Sequence, residues 1–386
     1  MKFRYEKFGG IIASEEPPFL AFVDREYMRG CGVEESAVWS GENSTLLTAP
    51  TEVHISRTNK CSANCAHCYM DSGDALANEM NTTEFKVALK SLATMGVFHV
   101  ALGGGEAMES DDLIEVATYA REIGLVPNLT TGGHLLTAEN VEQLKIFGQV
   151  NLSLDSVSPS PFRPQSRLEE ITRVFRLLTG SGIRTGINAV LGKQNYDEID
   201  ALCQYANENN LSEIEFLRLK PVGRAKDFYL EERMTQEQCR GLLPKLQAAR
   251  EKYGVTLKID CSLVPMLCYT KPEVAVLEML ALHGCEAGNI LAGVTSDGYV
   301  SGCSFLPPSK VKVEDLEKEW DGMFPEYRTW QSKAPEPCYS CNYLEICKGG
   351  CHAVSDAITG SMLNADPDCP FVVDFNERTK TKTKGN

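Results

Sequence analysis

The chain has 386 residues, 43% hydrophobic and 24% charged, a mixture that fits a folded protein with a sizeable core. Its 38 basic and 53 acidic residues leave a net charge of −15, a field that repels phosphate backbones and argues against general nucleic-acid binding. No apolar run is long enough to cross a bilayer, and the start, MKFRYEKFGG, lacks the apolar core of an export signal, so a cytoplasmic protein without a membrane partner is expected.

Residues 1–50 read as a β-rich extension, with strands at GGIIAS and PFLAFVDREYM separated by an EEPP turn. Its expected role is a cap on the domain that follows rather than a substrate-binding arm. Over residues 51–260 strands alternate with helices. The strands are EVHISRT, VFHVAL, LVPNLTT, QVNLSLD, IRTGINAVL and SEIEFLRLK. A helix is expected over NTTEFKVALKSLATMG, where Asn81 and Glu84 make a capping-box signature and Gly96 a stop. Further helices are expected near 110–123, 137–147, 166–180, 196–209 and 235–253. Six such units predict an α/β fold, a parallel sheet curled into a partial (β/α)6 barrel. Beyond residue 260 the periodicity gives way to Cys, Gly and Pro. A Cys-rich domain is expected over 261–375 and a flexible basic tail over 376–386.

Fifteen cysteines are abnormal for a chain of this kind. In a reducing compartment, clustered thiols point to bound metal rather than disulfides. CSANCAHCY places Cys61, Cys65 and Cys68 directly after the first barrel strand, where loops carry a barrel's chemistry. Three thiolates can hold three irons of a cubane iron–sulfur cluster, leaving the fourth iron open to a small molecule. The competing reading is a zinc site with His67 as fourth ligand. Zinc needs four tetrahedral ligands, and His67, adjacent to Cys68, is badly placed to reach the same ion.

With these residues the chain resembles the radical S-adenosylmethionine (SAM) superfamily. The resemblance implies a 4Fe–4S cluster on Cys61, Cys65 and Cys68, with SAM on the open iron and cleaved to a 5′-deoxyadenosyl radical. It places Tyr69 near the adenine. LGGGEAM follows the second strand, and Gly104, Gly105 and Glu106 match the family's Gly-Gly-Glu, which holds the SAM amino group. Glycines permit close backbone approach to a ligand, and a carboxylate can accept a charge-assisted bond from an ammonium. Ser153 and Asp155, two residues apart on one strand face, match positions that reach the ribose. Asn188 and Arg218, on the next two strands, are candidate SAM contacts or else polar residues of the barrel interior. Two positions depart from the family pattern: Ala107 stands where Pro is usual, and Gly132 where Asn is common.

The C-terminal spacing, Cys285, Gly298-x4-Cys303 and Cys338-x2-Cys341-x5-Cys347-x3-Cys351 followed by Cys369, resembles the SPASM extension of radical SAM enzymes. That resemblance implies two auxiliary 4Fe–4S clusters, three clusters in all. Cys285, Cys303 and Cys351 would hold the first, with Cys268 or Cys261 as fourth ligand or an open iron. Cys338, Cys341, Cys347 and Cys369 would hold the second. A pair of zinc knuckles is the competing reading. Cys31, Cys203 and Cys239 match nothing and read as small core residues.

The function implied is that of an oxidative maturase that modifies a peptide or protein side chain by forming a C–C or C–S bond, with an electron donor of ferredoxin or flavodoxin type. The first 28 residues also resemble the preface of maturases associated with tungsten-containing oxidoreductases. No separate leader-binding domain is evident, so the preface or a partner would do the recognition. The alternatives are side-chain processing of a tetrapyrrole, haem or haem d1, and a non-catalytic iron–sulfur electron carrier. A carrier has no need of Glu106, Ser153 and Asp155.

Overall fold

The computed structural model describes residues 2–15, 18–41, 44–160, 162–163 and 167–383. The N-terminal extension is an antiparallel sheet of β1 (Lys2–Glu6), β2 (Gly9–Glu15) and β3 (Pro18–Asp24). The first of these strands was not expected, and Glu16 and Pro17 of the EEPP turn lie outside the described residues. The expected second strand stops early because Asp24 caps a helix, Arg25–Gly30, by accepting from the Tyr27 amide at 2.7 Å.

The main sheet contains the six expected strands, β4 (Glu52–Thr58), β5 (His99–Gly104), β6 (Val126–Thr131), β7 (Val150–Ser153), β8 (Thr185–Leu191) and β9 (Glu213–Arg218). Each pairs in parallel with the next. The sheet also runs past residue 260. β10 (Leu257–Ile259) adds to β9, and β11 (Leu291–Val294) pairs in parallel with the other edge, β4. β12 (Val300–Ser301) closes it antiparallel to β11.

Helix Thr82–Thr94 has the expected capping box of Asn81 and Glu84, and Gly96 follows it at φ +80°. The helices Leu113–Glu122, Leu168–Gly180, Ile199–Glu208 and Gln236–Tyr253 also form. The segment expected to be a helix near 137–147 is instead wound as 3-10 turns over Val141–Ile146. There Asn140 folds back on Leu135 O at 2.9 Å and on the Thr137 amide at 2.9 Å, tightening the connection. The expected tail is mostly helical, Pro370–Thr383. It docks because Asp374 bonds Arg240 at 2.6 Å and Tyr269 at 3.3 Å.

Strand alternation sets the two faces of the sheet. Val53, Ile55, Val100, Leu102, Leu152, Ile187 and Phe216 are fully buried in one core with the helix residues Phe85, Leu89 and Phe175. The alternate positions are polar, among them Glu52, His54, Asn128, Asn151, Asn188 and Glu215. Buried Arg4 fixes the extension to this barrel, bonding Ala49 O, Pro50 O and Gly96 O at 2.7–3.0 Å. Those carbonyls lie where the chain enters β4 and approaches β5. The extension therefore sits at the N-terminal ends of the strands, opposite the cysteine loop.

Candidate active site and cluster sites

The three-cysteine loop leaves β4 and is tied down by backbone contacts on both sides. The Cys61 amide bonds Gly73 O at 2.8 Å. From the loop after β9, Arg224 donates its amide to Cys68 O at 3.0 Å and its Nε to Cys65 O at 2.9 Å. Gly223 makes this clamp possible: at φ +61° a Cβ there would stand 2.3 Å from Cys68 O. Two groups reach the sulfurs, Arg163 Nη1 to Cys65 Sγ at 3.3 Å and the Ser72 amide to Cys68 Sγ at 3.4 Å. Neither Arg163 nor Arg224 carries a motif signal; only tertiary folding brings them here. His67 is turned away from the thiols, with Nδ1 3.3 Å from Phe162 O and Nε2 3.4 Å from Asp155. Burial lowers it to about 4. With both ring nitrogens engaged, it does not serve as the fourth ligand that the zinc reading required.

The glycine motif folds against this loop. Gly104 and Gly105 are required by the chain's own backbone, because Cβ atoms there would meet Thr58 O at 2.4 Å and Lys60 O at 2.2 Å. Gly103 faces open space, since a Cβ there would meet nothing within 4 Å. Glu106 is buried and accepts from Thr131 Oγ1 at 2.7 Å, the Gly132 amide at 2.8 Å and the Met108 amide at 3.1 Å. A carboxylate has about four acceptor sites, so one remains for a ligand donor. A Cβ on Gly132 would already stand 3.3 Å from His134 Nδ1, and His134 lies 4.0 Å from Glu106. The histidine thus occupies space that the family's Asn would need.

Two expected SAM contacts have partners within the chain. Asp155 is engaged by protein on both oxygens, Oδ2 by Arg163 Nε at 2.7 Å and Oδ1 by the Val190 amide at 2.9 Å. It thereby orients the arginine on Cys65. Arg218 is buried and bonds Asp366 at 2.5 Å, Asp368 at 2.7 Å and Ser262 O at 3.1 Å. Its guanidinium joins the barrel to the Cys-rich region. Asn188 accepts from Asn151 at 2.9 Å on the inner face of the sheet. Ser153 makes no side-chain hydrogen bond among the described residues.

Tyr69 packs on Phe305, ring centroids 4.8 Å apart, so the first loop touches the one that carries Cys303. Burial pushes the Tyr69 phenol up to about 12. Ser304, a neighbour of Tyr69, lies 3.3 Å from His54 Nδ1, and His54 Nε2 lies 3.0 Å from Glu52. Burial opposes charge on Glu52, yet His54 holds it down at about 2. Glu215 has no hydrogen-bond partner among the described residues, and burial raises it to about 7. The sequence alone did not single out this polar lumen.

The remaining cysteines fall into two sets. Cys261 lies in the electrostatic surroundings of Cys285 and Cys351, and Cys303 joins that set. Cys268 is placed elsewhere, lining a cavity with Cys338, Cys341, Cys347 and Cys369. Of the two candidates left open for the fourth position of the first auxiliary site, Cys261 is the one that neighbours Cys285 and Cys351. Burial pushes the Cys303 and Cys338 thiols up to about 12, so metal loading would release protons. Among the described residues no three Cys, His, Asp or Glu side chains converge on one ion. Cubane ligands bind separate irons and need no such convergence. Cys203 and Cys239 are buried core residues as expected; Cys31 is exposed, which corrects that reading.

A partial barrel carries three thiols on its first loop and, on its second, a buried carboxylate with one acceptor site to spare. Residues 55–206 match the Radical SAM superfamily. The chain is 26% identical over 341 residues to an Fe-coproporphyrin III synthase of Methanosarcina barkeri, covering 81% of this chain and 86% of that one. It is 27% identical to the mycofactocin maturase MftC of Mycolicibacterium smegmatis, covering 84% of this chain and 83% of the relative. The crystal structure of Streptococcus suis SuiB bound to S-adenosylmethionine has the same fold, with TM-score 0.75, 20% identity and coverage of 95% and 98%. A second SuiB structure, bound to precursor peptide SuiA, gives 0.74 at 19% identity, covering 95% of this chain and 98% of that one.

Proposed function

We propose that this protein is a SPASM-type maturase that oxidatively modifies a peptide or protein side chain, forming a C–C or C–S bond. The observation that carries the reading is the clamped three-thiol loop facing Glu106, whose carboxylate keeps one acceptor site. The donor set suits a 4Fe–4S cluster on Cys61, Cys65 and Cys68, which with SAM would supply a 5′-deoxyadenosyl radical able to remove a hydrogen atom. Glu106 would fix the SAM amino group, Tyr69 would lie against the adenine, and Ser153 and Asn188 would face the ligand from the inner sheet. Residues 51–260 would form the barrel and 261–375 the region for two auxiliary clusters, one on Cys261, Cys285, Cys303 and Cys351. An electron donor of ferredoxin or flavodoxin type would reduce the first cluster. The peptide-directed relatives support the substrate class.

A second reading, tetrapyrrole processing, is favoured by the Fe-coproporphyrin III synthase relative, which aligns over most of both chains. Anaerobic assays with SAM and dithionite separate the two. Peptides encoded beside the gene, offered in parallel with Fe-coproporphyrin III, should alone raise 5′-deoxyadenosine and lose mass in multiples of two hydrogens. Turnover of the porphyrin with inert peptides would reverse the assignment.

Two expected results test the sites. Reconstituted protein should bind about twelve irons as three cubanes; about four irons with bound zinc would remove both auxiliary clusters. Glu106→Gln should weaken SAM binding by roughly 1.5–3 kcal/mol, about ten- to a hundredfold, with iron content unchanged. Spectral titration measures this, and equal affinity would take Glu106 out of the ligand set.

A further inference from the structure

The cavity that spacing assigns to Cys338, Cys341, Cys347 and Cys369 contains a fifth thiol, Cys268. Cys268 arrives from far upstream, on the short turn Cys268–Thr270 after the helix Val264–Leu267. It is 1% exposed and packs in one cluster with Cys341 and Cys347, as a neighbour of the Cys347 thiol. Its place is held from both sides: Tyr343, which also lines the cavity, donates to Pro272 O at 2.8 Å, and Gly284 presses against Cys347, its amide bonding Ile346 O at 2.7 Å. A Cβ on Gly284 would stand 1.9 Å from Cys347 O. Five thiols therefore share a site where a cubane takes four, and the surplus one adjoins one particular ligand.

We propose that Cys268 is a reserve ligand of the distal cluster, interchangeable with Cys347. This rests on the reading above that the cavity holds a cluster. The exchange would balance without an oxidant or reductant: a Cys268 sulfur–iron bond would form as the Cys347 sulfur–iron bond breaks, with one proton lost from the Cys268 thiol and one gained by Cys347. Thiolate is the ligating form and thiol the free one, so one proton moves and no electron does.

The test counts iron and sulfide and records electron paramagnetic resonance spectra of anaerobically reconstituted full-length protein. Wild type should hold about twelve irons and Cys341→Ala about eight. Cys347→Ala should remain near twelve, and only Cys347→Ala with Cys268→Ala should fall to about eight. A drop to eight in Cys347→Ala alone, with normal circular dichroism, overturns the proposal. If Cys347→Ala does not fold, Cys268→Ala decides: a shifted distal-cluster spectrum supports the thiol contact and an unchanged spectrum overturns it. Failure of the underlying reading looks different, since wild type would then match Cys341→Ala in iron content.

Discussion

Replacement of Cys61, Cys65 and Cys68 together by alanine will abolish 5′-deoxyadenosine formation and leave about eight of about twelve irons in place. The loop should survive the change because its anchors are main-chain groups. Gly73 O holds the Cys61 amide, while the Arg224 side chain and amide bond Cys65 O and Cys68 O. Only Arg163 and the Ser72 amide are deprived of a sulfur partner. Radical generation belongs to this cluster and SAM, so no residual SAM cleavage is expected. The product assay is paired with iron analysis and circular dichroism. Undiminished cleavage in a folded variant would remove this loop from the chemistry.

Arg218→Met will destabilise the protein by about 3–5 kcal/mol, the usual loss when one partner of a buried ion pair is deleted. The site predicts the size of the effect. Asp366 and Asp368 are both buried, and Arg218 bridges them at 2.5 and 2.7 Å. Asp368 retains Arg233 and the Tyr229 hydroxyl, whereas Asp366 is left with amide donors alone, from Cys351 and Asp368 at 3.0 Å. One donor is Cys351 itself and the other immediately precedes Cys369, so iron retention in the auxiliary sites should fall along with the denaturation midpoint. Adding Asp366→Asn removes the stranded charge and should recover part of the stability. Normal stability combined with weakened SAM binding would restore Arg218 to the SAM pocket.

Local signals in this chain were legible and tertiary ones were not. The Asn81–Glu84 capping box and the six parallel strands follow from side-chain period and short-range hydrogen bonding. The cysteine groups could be read because metal ligation imposes spacing along the chain. β11 could not be recognised: four residues, LAGV, form a strand only because the β4 edge is there to receive them. Asp155 and Arg218 looked like ligand contacts because polar groups at strand ends often are. Their partners, Arg163, Asp366 and Asp368, come from other segments. The choice between Cys261 and Cys268 likewise depends on where the chain returns, which spacing alone does not encode.

The pairing of β11 with β4 makes the barrel segment a poor autonomous unit. Leu291–Val294 matches Glu52–Ile55 residue for residue, and β4 leads directly into the loop of Cys61. A fragment ending near residue 260 would present β4 as a bare edge, with unpaired amides and carbonyls open to another chain. The Cys-rich region thus covers an edge that the barrel segment alone would leave bare. Transplanting it between relatives as a module would require carrying β11 with it, in register.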